Sequence, residues 1–595
     1  MKKYLVLILF FLVHLTAVSA EESVIMRAME DELARSMKDL RLDDKEGPYY
    51  LSYLVKDVYL INISADSGAI TTNTENRSRT LVVDLRVGDY TLDNSNFLSL
   101  SSSSISSLIS HRLTLGNDYD ILRMGAWSAT DTAYKAALDK IAKKKVALQS
   151  IVKTEELPDF TKGAAASEIY PEASFSVRKD QWVPVVDGLS KLFLKQPQIQ
   201  KSKVTLRIMV INSYYLNSEG ARSVEPSIIS QLLVTGVTQA DDGMPVGDLL
   251  IYTAADPEEF PSAERLKGDV KKMIEELKLT REAPVAEDYN GPVLFMGQAA
   301  GELFGQGFGN YFLGRRVPRA DNPQLSSMLG SQMGNPFLTK IDRRVAARFL
   351  SMEAVPSLTD YNGKSLLGSY KVDDEGVPCS DVTLVRDGIL KSMLTSRTPV
   401  KGFPKSNGHT RGGAPVPSVI HVTSSNTMTP DELKQELLNT VSDEGLPFGY
   451  IVKGIIPPSA GSEFSSSDIL SSLLMQRQGA ADPTQFSLTK PYSIYKVYPD
   501  GKEELVRGLE FRSHSINILK DILATSDDET VYDYPVIAGG GSGVMSSILS
   551  LLGSSGASSQ YYATVITPSL LISEMDLKKT TGNFSKLPIV DYPLK

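Results

Sequence analysis

The sequence predicts an α+β protein of two domains: an N-terminal α+β domain with long helices on a sheet, residues 21–288, and a C-terminal, mainly antiparallel β domain, residues 289–595. Two observations carry this. Before residue 280, stretches with apolar residues at helical spacing are interleaved with strand-like runs. After a stretch rich in Pro, Gly and acidic residues, 280–292, the pattern changes to short β-branched runs separated by Gly, Asp and Pro. That stretch is the predicted boundary. The length of 595 residues allows about three to five domain-sized units, or fewer large ones, without a covalent staple.

The first helix is predicted over 23–40, where Ile25, Met29, Leu33, Met37 and Leu40 share one face. Residues 49–55 and 58–63 read as strands, Ala65-Asp66-Ser67-Gly68 as a turn, and 80–87 as a further strand ending at Gly88-Asp89. A Ser-rich stretch, 99–110, has the low complexity of a loop. A long helix over 131–148 places Tyr134, Leu138, Ile141 and Val146 on one side, with Ser128 or Thr130 as its cap. Its Lys140, Lys143, Lys144 and Lys145 read as a solvated face near a helix C-terminus, the alternative being a partner-binding patch. Strands follow at 204–210 and 230–238 about a turn at Asn217-Ser218-Glu219-Gly220, and a charged helix at 262–279. Beyond the boundary come a helix from Gln298 to Phe304 and beyond, a hairpin at 382–390 turning on Asp387-Gly388, and a second turn at 495–501. A Gly/Ser-rich loop, 539–559, precedes a last apolar strand, 564–572.

Residues 1–20 have the order of a secretory leader: Lys2-Lys3, an apolar run, then Val18-Ser19-Ala20. Cleavage before Glu21 predicts an exported protein, periplasmic or extracellular and not integral to the membrane; the alternative is an uncleaved anchor. Losing the two lysines leaves 60 basic against 71 acidic residues. That balance argues against nucleic acid, whose phosphates need clustered Lys and Arg. A single cysteine, Cys379, excludes an intrachain disulfide and a Cys-cluster zinc site.

Catalytic patterns are scarce. His111, His409, His421 and His514 show no i, i+4 pairing and read as structural. Asp373-Asp374-Glu375 reads as a solvated acidic turn, since the spacing of a calcium loop is missing. The S-x-x-K matches at Ser176 and Ser487 lack the other elements of a serine acylase. Cys379 follows a proline with no histidine nearby and reads as an incidental thiol. Gly305, Gly307 and Gly309 lack the Lys-Ser or Lys-Thr of a phosphate loop and fit a closely packed helix end.

The order of several short segments resembles the TldD/PmbA family of zinc metallopeptidases. They include Tyr49 to Tyr53, Arg86-Val87-Gly88-Asp89-Tyr90, Trp127-Ser128-Ala129-Thr130-Asp131, and Asn217-Ser218-Glu219-Gly220. In the second half they are Gly291-Pro292-Val293, Asp373-Asp374-Glu375-Gly376, Leu394-Thr395-Ser396-Arg397 and Thr567-Pro568-Ser569. The resemblance implies the same two-domain division and a zinc helix of the form H-E-x-x-x-H, completed by a distal cysteine. This chain departs there. Gly297 matches the first histidine, Gln298 the glutamate base and Glu302 the second histidine. Glycine has no ligand atom, and a neutral amide cannot accept a proton from zinc-bound water. Cys379 lies far upstream of the expected cysteine.

The chain is therefore closer to the ligand-less subunit of the family, with no metal of its own expected. Its expected partners are a zinc-bearing homologue or a second copy, and a peptide substrate. Two alternatives stand beside this. One is a peptidase in its own right, with an unrecognised site built from Glu302 and some of His409, His421 and the acidic turn, weakly holding zinc; the other is a non-enzymatic envelope binding protein.

Overall fold

The computed structural model describes residues 23–99, 108–149, 157–175, 178–461, 482–537, 560–582 and 584–586. The leader, most of the Ser-rich stretch, the Gly/Ser-rich loop 539–559 and Ser176 lie outside them. The fold is α+β, as the sequence predicts, and its strands gather into two large sheets. One is built before residue 255 and the other after residue 288.

Among the described residues the first sheet has seven strands. Its centre is the antiparallel run Ala69–Val87, Pro48–Asp66, Lys201–Asn217 and Arg222–Gln239, flanked by Leu108–Leu113 and Pro245–Ala254. The two strands predicted at 49–55 and 58–63 are one 19-residue strand. Ser67 and Gly68 both take positive φ, which matches the right-handed twist of a tight hairpin. One face is covered by four helices. Helix α1 (Val24–Asp39) and helix α2 (Tyr119–Ala147) pack on Leu51, Tyr53, Leu81 and Val83. Helix α3 (Lys179–Ser190) and helix α4 (Ala263–Glu282) pack on Ile61, Ile63, Leu206 and Val234. Pro48–Asp66 is buried on both faces over its first half only. Its even-numbered Tyr50, Leu54 and Lys56 turn away from the helices yet remain buried.

Helix α2 begins twelve residues earlier than its periodicity predicts, capped by Asp118, whose carboxylate accepts from Ile121 N at 3.1 Å. Thr130 is an interior residue that bonds Ala126 O and the Tyr53 hydroxyl. The lysine face is corrected as well. Lys140 and Lys144 are buried, and Lys144 Nζ reaches Asp159 Oδ2 at 2.5 Å and Asp93 O at 2.9 Å. A long flexible stem carries the Lys144 ammonium group to acceptors that lie outside the helix, which helical spacing does not reveal.

Among the described residues the second sheet has twelve strands, mainly antiparallel, centred on the twenty-residue strand Gln560–Lys579. Its neighbours are Val419–Ser424, Tyr289–Phe295 and Ile522–Ile537. Val293 and Phe295 face the larger core, while Leu294 meets Leu433, Leu437 and Val441 of the helix Pro430–Asp443 on the opposite side. The hairpin at Asp387-Gly388 has both turn residues at positive φ, as its sequence predicts. The stretch 280–292 is tied down: Ala286 is fully buried, and its N–H donates to Arg507 O at 2.9 Å.

Candidate functional site

The segment that the resemblance matches to the zinc helix, Gly297 to Glu302, lies at and on helix α5 (Gln298–Glu302), fed directly by the buried strand Tyr289–Phe295. Gly297 is the residue before the first turn, at φ +54°, and a Cβ there would meet nothing within 4 Å. The position needs glycine for its backbone and not for space. Gln298 stitches the helix to the neighbouring strand. Its Nε2 donates to Ile455 O at 2.9 Å and its Oε1 accepts from Ile455 N at 2.9 Å. A glutamate would keep the acceptor and lose the donor.

One turn on, Glu302 is 2 % exposed. The Tyr532 hydroxyl donates to its Oε1, and Gln306 Nε2 donates to Oε2 at 2.7 Å. Gln306 continues the network to Thr489, donating to its Oγ1 and accepting from its N–H, both at 2.9 Å. No cation stands among these partners, so burial pushes the Glu302 carboxyl up to about 7. The helix then widens into a single π-turn, Leu303–Phe308, and a 3-10 turn, Gly309–Phe312. Gly301 admits Tyr532, whose side chain would lie 2.6 Å from an added Cβ, and Gly307 admits Phe486 at 2.9 Å. The glycines of this helix end thus serve close packing, as read from the sequence.

A zinc ion does not fit this set. Gly297 offers no donor, the Gln298 amide is committed on both atoms, and both Glu302 oxygens accept hydrogen bonds. Among the described residues no group of three or more His, Cys, Asp or Glu is placed to hold a metal ion.

The other candidate residues lie elsewhere. His421 faces Glu529 at 3.1 Å on the second sheet. His409 is fully buried, its Nδ1 near Asn407, and desolvation lowers it to about 4. His514 is buried and also lowered by desolvation. The Cys379 thiol donates to Tyr370 O at 2.9 Å and is pushed up to about 11 by burial, the environment of an inert thiol. Ser487 contacts the hydroxyl of Ser513, and Lys490 pairs with Glu510 at 2.8 Å.

The acidic turn is a correction: it is buried, not solvated. Asp373 accepts from the N–H groups of Glu375, Val377 and Thr410. Asp374 accepts from Arg411 at 3.1 Å, Tyr561 at 2.5 Å and Gly412 N at 2.8 Å, with Lys56 at 3.9 Å. Glu375 accepts from Arg397 N and Thr410 Oγ1. Lys56 comes from the first sheet, more than 300 residues away, and no local spacing could have signalled it.

Residues 288–461 match the PmbA/TldA metallopeptidase C-terminal domain. The fold is similar to three solved structures. TldE from Thermococcus kodakarensis aligns at TM-score 0.58 and 14% identity, covering 93% of this chain and 100% of that one. A candidate modulator of a DNA gyrase from Thermotoga maritima aligns at TM-score 0.56 and 15% identity, covering 93% and 99%. A candidate DNA gyrase modulator from Bacteroides thetaiotaomicron aligns at TM-score 0.56 and 12% identity, covering 93% and 98%. No curated protein matches the sequence at a significant level.

Proposed function

We propose that this chain, a TldD/PmbA-type metallopeptidase-like protein carrying the PmbA/TldA C-terminal domain over residues 288–461, is a metal-free subunit that pairs with a zinc-bearing homologue and helps to enclose a peptide. The observation that carries the reading is the state of helix α5. At the two histidine positions and the base position the side chain is either missing, at Gly297, or spent on a structural partner, at Gln298 and Glu302. A zinc peptidase needs about three protein ligands and a carboxylate base near the open position. The export reading belongs to the same proposal, resting on the order of residues 1–20.

The test is coexpression with a neighbouring homologue that does contain H-E-x-x-x-H. The expected outcome is a stable pair that binds zinc and cleaves peptides, while this chain alone purifies well below one zinc per chain and is inactive. One tightly bound zinc per chain, with chelator-sensitive peptidase activity abolished by Glu302→Ala, would overturn the reading. Terminal sequencing of the exported form should begin at Glu21.

A further inference from the structure

The chain builds one unit on each of its two large sheets. In the first unit, helix α2 turns one face inward, where Leu122, Ala126, Ala129 and Ala133 are buried with Leu51, Tyr53 and helix α1. Its outer face carries Ile121, Met124 and Trp127, exposed by 43%, 60% and 50%. Single exposed apolar residues need no explanation. These follow one another at a spacing of three, so they form one ridge of the helix. A contiguous apolar ridge rimmed by charge marks a docking surface.

Beside the ridge is a hollow of about 260 Å³, lined by Glu32 and Arg35 of helix α1 and by Asp120, Arg123, Met124 and Trp127 of helix α2. It is smaller than the roughly 300–1,000 Å³ of a small-molecule site and suits one bulky side chain. The buried Glu32 carboxylate accepts from Arg35 Nε at 3.0 Å and from Arg123 Nε at 3.4 Å, which holds both guanidinium groups at the hollow. Guanidinium planes stack on aromatic rings, a thioether packs against a ring edge, and a carboxylate such as Asp120 accepts from an indole N–H. A tryptophan satisfies all three, and one stands next to the hollow on the same helix. A residue placed beside the pocket it would fill in a second copy is the arrangement of a two-fold interface, in which every contact occurs twice.

Charge sets the direction of such a pairing. Along the outer face Asp120 and Arg123 precede Trp127, and Asp131 and Lys135 follow it. A parallel pairing would set each charge against its own kind. An antiparallel pairing about residues 127 and 128 sets Asp120 against Lys135 and Arg123 against Asp131. Within one chain Lys135 Nζ donates to Asp131 at 2.7 Å, but an exposed pair of this kind is worth little and exchanges readily. An anionic lipid surface fits this face less well, since it carries two aspartates and the chain beyond residue 20 holds 60 basic against 71 acidic residues.

We infer that the outer face of helix α2 docks a second copy of this chain, the two helices crossing antiparallel at Trp127 and each Trp127 seated in the other copy's hollow between Arg35, Arg123 and Met124. The inference does not rest on pairing with a zinc-bearing homologue, and its test uses this chain alone.

Sedimentation equilibrium of the chain without residues 1–20, from about 1 to about 100 μM, should show a dimer. Trp127→Ala and Met124→Asp should each weaken it about tenfold or more, with native circular dichroism because both side chains are exposed. Asp120→Lys should weaken the dimer, and adding Lys135→Glu should restore it. In a Cys379→Ser background, mild oxidation should cross-link Ser128→Cys, because facing Cα atoms at a helix crossing come within disulfide reach. Val146→Cys, exposed near the end of the same helix, should stay uncross-linked. A chain that is monomeric throughout, or a dimer indifferent to Trp127→Ala, overturns the inference. So does a monomer that floats with anionic vesicles through Trp127, which would make the face a lipid-binding one.

Discussion

Helix α5 and the acidic turn both bury carboxylates, and they keep them in opposite ways. At the turn, burial would raise Asp374, but Lys56 and Arg411 together with the hydrogen bonds from Tyr561 and Gly412 N outweigh it and hold the carboxylate below its usual range. At helix α5, Glu302 has only the neutral donors Tyr532 and Gln306 and is pushed up to about 7. One carboxylate is kept by charges drawn from both units, the other by a proton. The motif position therefore carries a group suited to hydrogen bonding within the core, and the ionised carboxylate sits where the sequence resemblance would not look for chemistry.

The comparison breaks most visibly if Asp374 is removed. Asp374→Ala leaves Arg411 and Lys56 buried without their counter-charge, and a broken buried pair costs about 3–5 kcal/mol. Urea unfolding should show that loss, and a loss below about 1 kcal/mol would mean that water already neutralises the site.

Next in size is the pH dependence of Glu302. Its carboxyl titrates near 4.5 when unfolded and near 7 when folded, so the folded state binds the proton more tightly. Its contribution is full below the unfolded value and is lost as pH rises through the folded one, about 3 kcal/mol in all. Glu302→Gln keeps the shape and cannot ionise. The stability difference between variant and wild type should therefore grow in favour of the variant from pH 5 to pH 8, and a flat difference would show that Glu302 is ionised in the fold.

Tyr532→Phe removes the donor to Glu302 Oε1 while keeping the ring that Gly301 admits. The expected loss is about 1–3 kcal/mol near pH 6, the cost of an orphaned buried acceptor. No loss would mean that another donor reaches that oxygen.

The smallest expected effect sharpens the same contrast. Gly297→His, Gln298→Glu and Glu302→His together should bind no stoichiometric zinc by metal analysis. Position 297 holds a backbone at φ +54° that disfavours histidine, the Ile455 stitch is lost, and Tyr532 lies against the helix. Stoichiometric zinc in the triple variant would show that the pocket is a metal site lacking only its ligands.

What the sequence determined by itself follows from local pattern. The α+β class, the Asp387-Gly388 hairpin, helix α1 and helix α4 were all legible, because turn chemistry and helical period are carried by neighbouring residues. The joining of 49–55 and 58–63 was not, since a strand buried on one face along half its length and on both along the other shows no single period. Nor were the burial of Lys140, Lys144 and the acidic turn, which read as solvated from their charge alone. Whether a charge is solvated or buried is decided by partners that the chain brings from far away, Asp159 to Lys144, Lys56 to Asp374 and Glu219 to Arg397. Only the tertiary structure supplies them, because the free energy of a buried charge depends on what surrounds it in space, whatever its distance along the chain.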